Sequence, residues 1–221
     1  MKKIIKRILF HILYPLSKIY LSKERSYTYN DISVKVLPGV FHPGLFFSTK
    51  ILLKYIGTMD LKNKSLLELG AGTGLISIFA AKQNANVTAS DINSTAIKNI
   101  KLNAEKNRVE LNIIQSDLFD SIPSQNFDYI IINPPYFPKE PKDENEQAWF
   151  CGSDFRFFKN LFKQIDNYIC DSTNVIMILS EDCEIEMIKS IAKENSFVLN
   201  EIQKTKVWNE WNYLFKVIKN D

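Results

Sequence analysis

The stretch Ser65-Leu66-Leu67-Glu68-Leu69-Gly70-Ala71-Gly72-Thr73-Gly74-Leu75 decides how this chain folds. Its apolar first half reads as a buried strand, and Leu75–Gln83 has helical spacing, so three alternate glycines sit at a strand-to-helix junction. Glycine permits a sharp turn there and lets backbone N–H groups approach a ligand at a helix start. The nicotinamide dinucleotide fingerprint G-x-G-x-x-G would need a glycine where Leu75 stands. No Lys-Ser or Lys-Thr follows, which excludes a P-loop.

Outward from this junction, apolar runs alternate with helical stretches. Strands are predicted at Ser65–Leu69, Asn86–Ser90, Leu111–Gln115, Tyr129–Asn133 and Val175–Ser180. Helices are predicted at Leu75–Gln83, Ser94–Asn107, Phe155–Cys170 and Glu184–Glu194. The unbroken run Tyr129-Ile130-Ile131-Ile132 implies burial on both faces, hence a mostly parallel, doubly wound α/β sheet covered by helices. Two β-like runs around Trp208-Asn209-Glu210-Trp211-Asn212 predict a C-terminal hairpin that adds an antiparallel strand. Upstream, Ser26–Val36 alternates loosely as a hairpin or short strands, and Ser48–Thr58 reads as an amphipathic helix with Ser48 or Thr49 as N-cap. Residues 1–45 are thus expected to form a helix-and-hairpin extension, and residues 46–221 the domain that carries the chemistry.

Composition narrows the classes. A chain of 221 residues supports one large α/β domain, and a net charge of +3 does not mark a nucleic-acid binder. Three cysteines without a C-x-x-C pair argue against a disulfide framework or a zinc site and point to a reducing cytoplasm. Two histidines, His11 and His42, are too few for a multi-histidine metal centre, so no metal site is expected. Met1 to Lys23 carries six basic residues before the first acidic one, Glu24, with apolar residues at helical spacing. Arg7 and His11 interrupt that run, so neither a signal peptide nor a spanning helix of about 20 apolar residues is expected. Docking of this basic helix on its own domain is the preferred reading; contact with RNA or an acidic partner and contact with a membrane surface are the others.

The segment Glu68-Leu69-Gly70-Ala71-Gly72-Thr73-Gly74 resembles the first motif of the class I methyltransferases. That resemblance implies a seven-stranded Rossmann-like sheet and S-adenosyl-L-methionine as cofactor, with the glycine loop wrapping its methionine part. The next strand ends at Asp91-Ile92, roughly twenty residues beyond Gly70, where doubly wound folds place an acidic residue on the ribose hydroxyls. The resemblance puts Asp117-Leu118, at the end of the following strand, beside the adenine.

Asn133-Pro134-Pro135-Tyr136 closes the predicted strand from Tyr129, at the carboxyl end of the sheet where ligands bind in open α/β folds. A planar amide or amino nitrogen is a poor nucleophile because its lone pair is delocalised. The Asn133 side-chain oxygen and the Pro134 carbonyl can accept its two N–H bonds and aim it, prolines pre-set the loop, and the Tyr136 ring can stack on a flat acceptor. Alignment of this kind supplies roughly 7–11 kcal/mol in well-oriented systems. The tetrad resembles the NPPY motif of amino-methyltransferases in or near the small-domain (HemK-like) family: N5-glutamine enzymes, N6-adenine enzymes and N2-guanine ribosomal RNA enzymes. Val40 to Thr49 is similar to the segment that folds over the cofactor there, and Cys151 to Phe158 to a stretch that follows the tetrad in the glutamine enzymes.

The expected activity is therefore N-methylation of a macromolecule, with protein glutamine preferred and an adenine or guanine amine of RNA next. An NAD(P)-dependent oxidoreductase is the competing class, opposed by the glycine spacing. Lys139 to Gln147 reads as a solvated loop or a substrate lid, and Trp149, Phe150, Phe155, Phe157 and Phe158 as core or as a stacking wall. His42 reads as a turn residue, and the cysteines carry no assigned chemistry.

Overall fold

A computed structural model describes residues 20–220. The basic helix expected over Met1 to Lys23 falls almost wholly outside the described residues.

A two-stranded hairpin comes first, β1 (Arg25–Tyr29) and β2 (Ile32–Val36), followed by α1 (Phe47–Ile56). Then come β3 (Ser65–Leu69), α2 (Leu75–Lys82), β4 (Asn86–Asp91), α3 (Ser94–Asn107), β5 (Asn112–Gln115) and β6 (Tyr129–Ile132). The chain ends with α4 (Arg156–Gln164), β7 (Asn174–Ser180), α5 (Ile185–Glu194), β8 (Phe197–Val207) and β9 (Glu210–Lys219). The main sheet has seven strands in the order β5-β4-β3-β6-β7-β9-β8. The first five pair in parallel, and β9 and β8 are antiparallel additions at one edge. This is the doubly wound, mostly parallel sheet that the apolar runs imply. The C-terminal hairpin is there as expected, and both of its strands join the edge, completing the seven-stranded sheet.

Alternate strand residues divide between two cores. Leu67, Ile130, Ile132, Met177 and Phe215 face α4 and α5, with Phe158, Leu161, Phe162 and Ile188. Leu66, Ile131, Ile176, Ile178 and Leu214 face α1 and α2, with Leu52, Leu53, Ile56 and Ile78. Period-two alternation with apolar residues in both phases is what a sheet covered on both faces requires.

The small hairpin docks on α3 by an unusual ladder. Asn99, Asn103 and Asn107 accept from the backbone N–H groups of Leu37, Lys35 and Ser33 at 2.9, 2.8 and 3.2 Å. Their amide nitrogens return bonds to the carbonyls of Lys35 and Ser33 at 2.9 Å. Four helical residues rise about 6 Å and two strand residues about 6.6 Å, so side chains spaced i, i+4 match alternate residues of an extended chain. The helix thus serves β2 as a third strand would.

Two helix ends differ from the sequence reading. The start of α1 has no side-chain cap; Phe46 holds the cap position, and of the two residues expected to cap, Ser48 accepts a hydrogen bond from Asn133 instead while Thr49 lines the cavity. The helix predicted over Phe155–Cys170 starts after Phe155, whose φ is +62°, and tightens into a 3₁₀ turn at Ile165–Tyr168. No described helix is long and apolar enough to cross a membrane.

Candidate active site

The sheet order reverses between β3 and β6, which pair in parallel with Leu69 opposite Ile132. The residues that follow them, Gly70 and Asn133, therefore emerge side by side at a topological switch point. Above them lies a cavity of about 350 Å³, of the size that small-molecule sites have. Glu68, Gly70, Ala71, Gly72, Thr73, Asp91, Ile92, Asp117, Leu118, Asn133, Pro134, Pro135 and Tyr136 all line it. Of the cofactor-binding and catalytic residues expected from sequence, Gly74 alone does not; it caps α2 in a left-handed conformation, φ +74°, where a Cβ would press on Ile100 at 3.1 Å.

The glycine loop is held by carboxylates. The Gly72 N–H donates to Asp91 at 2.8 Å, and the Asn93 N–H donates to the other oxygen at 2.9 Å. Glu68 accepts from the Ser77 N–H at 2.8 Å and from the Ser77 hydroxyl. Burial pushes the Glu68 carboxyl up to about 8, against the hydrogen bonds from Ser77 and helped by the charge of Asp91. Burial also raises Asp91, opposed by its N–H donors. Asp117 stands exposed at the rim. A Cβ on Gly70 would meet nothing within 4 Å, so the loop leaves room for a ligand against its backbone. An open cradle with the buried Glu68, the partly buried Asp91 and Asp117 at its rim offers acidic oxygens to the hydroxyls and positive charge of a cationic, nucleoside-sized group.

The other half of the cavity is built on the β6 tip. Tyr136 donates its hydroxyl to the Asn133 side-chain oxygen at 3.1 Å, and the Asn133 amide nitrogen donates to Ser48 Oγ at 3.3 Å. Burial holds the Tyr136 phenol far above its ordinary pKa, so it stays protonated. Its ring packs partly on the core beside α4, and its cavity-facing part adjoins Pro134 and Pro135.

Phe41, Phe46 and Trp149 form the roof. Phe41 stacks on Phe46 at 5.3 Å, and Trp149 meets both edge-on at 5.6 and 5.2 Å. The loop from Lys139 folds back so that Pro141, Glu144 and Gln147 line the cavity. Its neck is closed by main-chain bonds, Phe137 N–H to Trp149 O at 3.0 Å and Cys151 N–H to Phe137 O at 2.9 Å. The aromatic group noted in the sequence divides. Trp149, Phe150 and Phe157 line the cavity, while Phe158 is wholly buried in the core and Phe155 packs against it. His42 stays off the cavity, accepting from the Gly44 N–H at 3.0 Å within its turn. Among the described residues no cluster of side chains could hold a metal ion.

Sequence reasoning missed Ser48 as a site residue and missed Asn93, which caps α3 through Thr95 and also lines the cavity. Asn93 carried a readable signal, a helix N-cap two residues past Asp91. Ser48 carried none, because its site partner lies 85 residues away.

A family model described as methyltransferase small domain matches residues 31–151. A protein of Methanocaldococcus jannaschii, provisionally named a protein N5-glutamine methyltransferase, is 38% identical over 144 residues, covering 62% of this chain and 71% of the relative. Ribosomal RNA small subunit methyltransferase C of Buchnera aphidicola is 31% identical over 176 residues, covering 77% of this chain but only 47% of the relative. Among solved structures, the Thermus thermophilus 16S rRNA N2 G1207 methyltransferase in complex with AdoMet and guanosine superposes with a TM-score of 0.60 at 17% identity, over 90% of this chain and 50% of that one.

Proposed function

The chain belongs to the methyltransferase small-domain family, and on that premise we propose that it moves a methyl group from S-adenosylmethionine to a planar amide or amino nitrogen of a macromolecule. The observation that carries this reading is the pairing of β3 with β6. It makes the glycine loop and the Asn133 loop neighbours on one cavity by main-chain register alone.

The residues divide the work. Glu68, the Gly70–Gly74 loop, Asp91-Ile92 and Asp117-Leu118 would hold the cofactor: the loop leaves an open face, and the carboxylates offer partners for hydroxyls and positive charge. When bound, S-adenosylmethionine supplies a methyl group already activated by its sulfonium charge, so no strong base is required of the protein. Asn133 Oδ1 has a second lone pair beyond the one that Tyr136 uses, and the Pro134 carbonyl stands next in the chain. Together they accept the two hydrogens of the acceptor nitrogen and fix its direction, which is where alignment lowers the barrier. The aromatic roof and the loop from Lys139 exclude water from this pair.

Protein glutamine is the preferred acceptor, supported by the relative of which this chain spans 71%. The ribosomal RNA relatives make an RNA base amine the second reading. Three free cysteines support residence in a reducing cytoplasm. The test is transfer of labelled methyl from S-adenosylmethionine into a cell extract, followed by protease or ribonuclease digestion. Label released by protease supports the glutamine reading, label released by ribonuclease the RNA reading, and no label in any macromolecule overturns the proposal.

A further inference from the structure

We infer that Ser48 is a positioning residue that fixes which end of the Asn133 amide faces the acceptor; this rests on the role proposed above for Asn133. The two ends of an amide are nearly alike in shape and opposite in hydrogen bonding. Turned the wrong way, Asn133 would present N–H donors to an acceptor nitrogen that itself carries hydrogens, and the pair would repel.

Two hydroxyls set the orientation. Tyr136 donates to Asn133 Oδ1 at 3.1 Å, and Ser48 Oγ accepts from Asn133 Nδ2 at 3.3 Å. Either hydroxyl could in principle donate or accept. The asymmetry lies in their chemistry, because a phenol is the more acidic donor and an alkyl hydroxyl the more basic acceptor. The observed arrangement gives the amide oxygen the phenol and the amide hydrogens the serine, which is the stronger pairing at both ends. Ser48 is 2% exposed and caps no helix, so its hydroxyl has no solvent or capping role to explain its place. It reaches Asn133 because α1 packs against the face of the sheet that holds Ile131 and Ile176, with its first turn level with the β6 tip.

Removing either hydroxyl frees the same amide, so the two losses must not multiply. Three variants test this: Ser48→Ala, Tyr136→Phe and the double variant. Two quantities are measured: the rate of labelled methyl transfer into the macromolecular fraction of a cell extract at saturating S-adenosylmethionine, and the dissociation constant of S-adenosylhomocysteine. We expect Ser48→Ala to slow transfer about tenfold, the scale of one lost hydrogen bond. The double variant should be as slow as the slower single variant, and S-adenosylhomocysteine should bind all of them as it binds the unaltered chain. A Ser48→Ala rate within twofold of the unaltered chain overturns the inference, as do multiplicative losses or weakened binding that accounts for the slower rate. Transfer by the unaltered chain with an undiminished Ser48→Ala rate removes only the role of Ser48. No transfer by the unaltered chain removes the proposed function and this inference together.

Discussion

The two hairpins of this chain are held by opposite means. The C-terminal pair, β8 and β9, joins the main sheet through backbone bonds, β9 pairing with β7 from Val175↔Val217 to Ser180↔Asn212. The N-terminal pair, β1 and β2, is a separate two-stranded sheet, tied to α3 by three asparagine side chains. A backbone ladder tolerates most side chains, whereas an amide ladder needs particular residues at each rung. The N-terminal hairpin should therefore be the mutationally fragile one. It is also the one wired to the glycine loop, because Asn103 donates to the Thr73 carbonyl at 2.9 Å.

The largest expected effect is one of pH, to which the amide ladder does not respond, since amides do not titrate. Glu68 is raised from 4.5 to about 8 on folding, so the folded chain binds the extra proton across that window. The contribution of Glu68 to stability is then full below about pH 4.5 and is lost as pH rises towards 8, by up to roughly 4 kcal/mol. Melting curves from pH 5 to 8 should show that slope in the unaltered chain, a flat response at this site in Glu68→Gln, and the unaltered slope in Asn103→Ala. Equal slopes in the unaltered chain and Glu68→Gln would refute the assignment.

Next in size is Asn103→Ala itself. It strands the Lys35 N–H and leaves the Lys35 and Thr73 carbonyls short of partners, at a cost of about 3 kcal/mol, or roughly a 10 °C drop in melting temperature. Because Thr73 lines the cavity, cofactor binding should weaken with it, measured by calorimetry with S-adenosylhomocysteine. Asn99→Ala, which loses two bonds remote from Thr73, should cost about 2 kcal/mol and leave that affinity intact. If both variants changed affinity alike, the coupling through Asn103 would be wrong.

The smallest effect comes from the backbone-held hairpin. Both hairpins turn on two residues whose first has positive φ, Asn30 at +51° and Trp208 at +54°. Asparagine adopts that region readily, and tryptophan does so at a cost. Trp208 is 90% exposed, so Trp208→Asn should raise stability by about 0.5–1 kcal/mol in denaturant unfolding. A loss of stability would mean that its contact with Phe47 outweighs the strain.

The legible and illegible parts of this molecule follow the same division. The parallel strands could be read because runs such as Tyr129–Ile132 have no other stable environment, and the glycine loop because its spacing excludes other nucleotide folds. The amide ladder could not. Asn99, Asn103 and Asn107 recur every four residues, as the polar face of any solvated helix does, yet Asn99 and Asn103 are fully buried. Nothing local distinguishes an asparagine that faces water from one that faces a strand edge brought there by the tertiary fold. Ser48 was hidden for a related reason. A serine at the start of a helix satisfies a local rule so well that its distant partner at Asn133 leaves no trace in the neighbouring residues.

The closed neck of the loop from Lys139 has a consequence for descent. Phe137 and Cys151 are tied by main-chain hydrogen bonds, so the exposed residues between them, such as Lys142 and Asp143, can change while the tips of β3 and β6 keep their mutual register. The outer face of that segment can thus drift in sequence while the cavity beneath it is inherited unaltered.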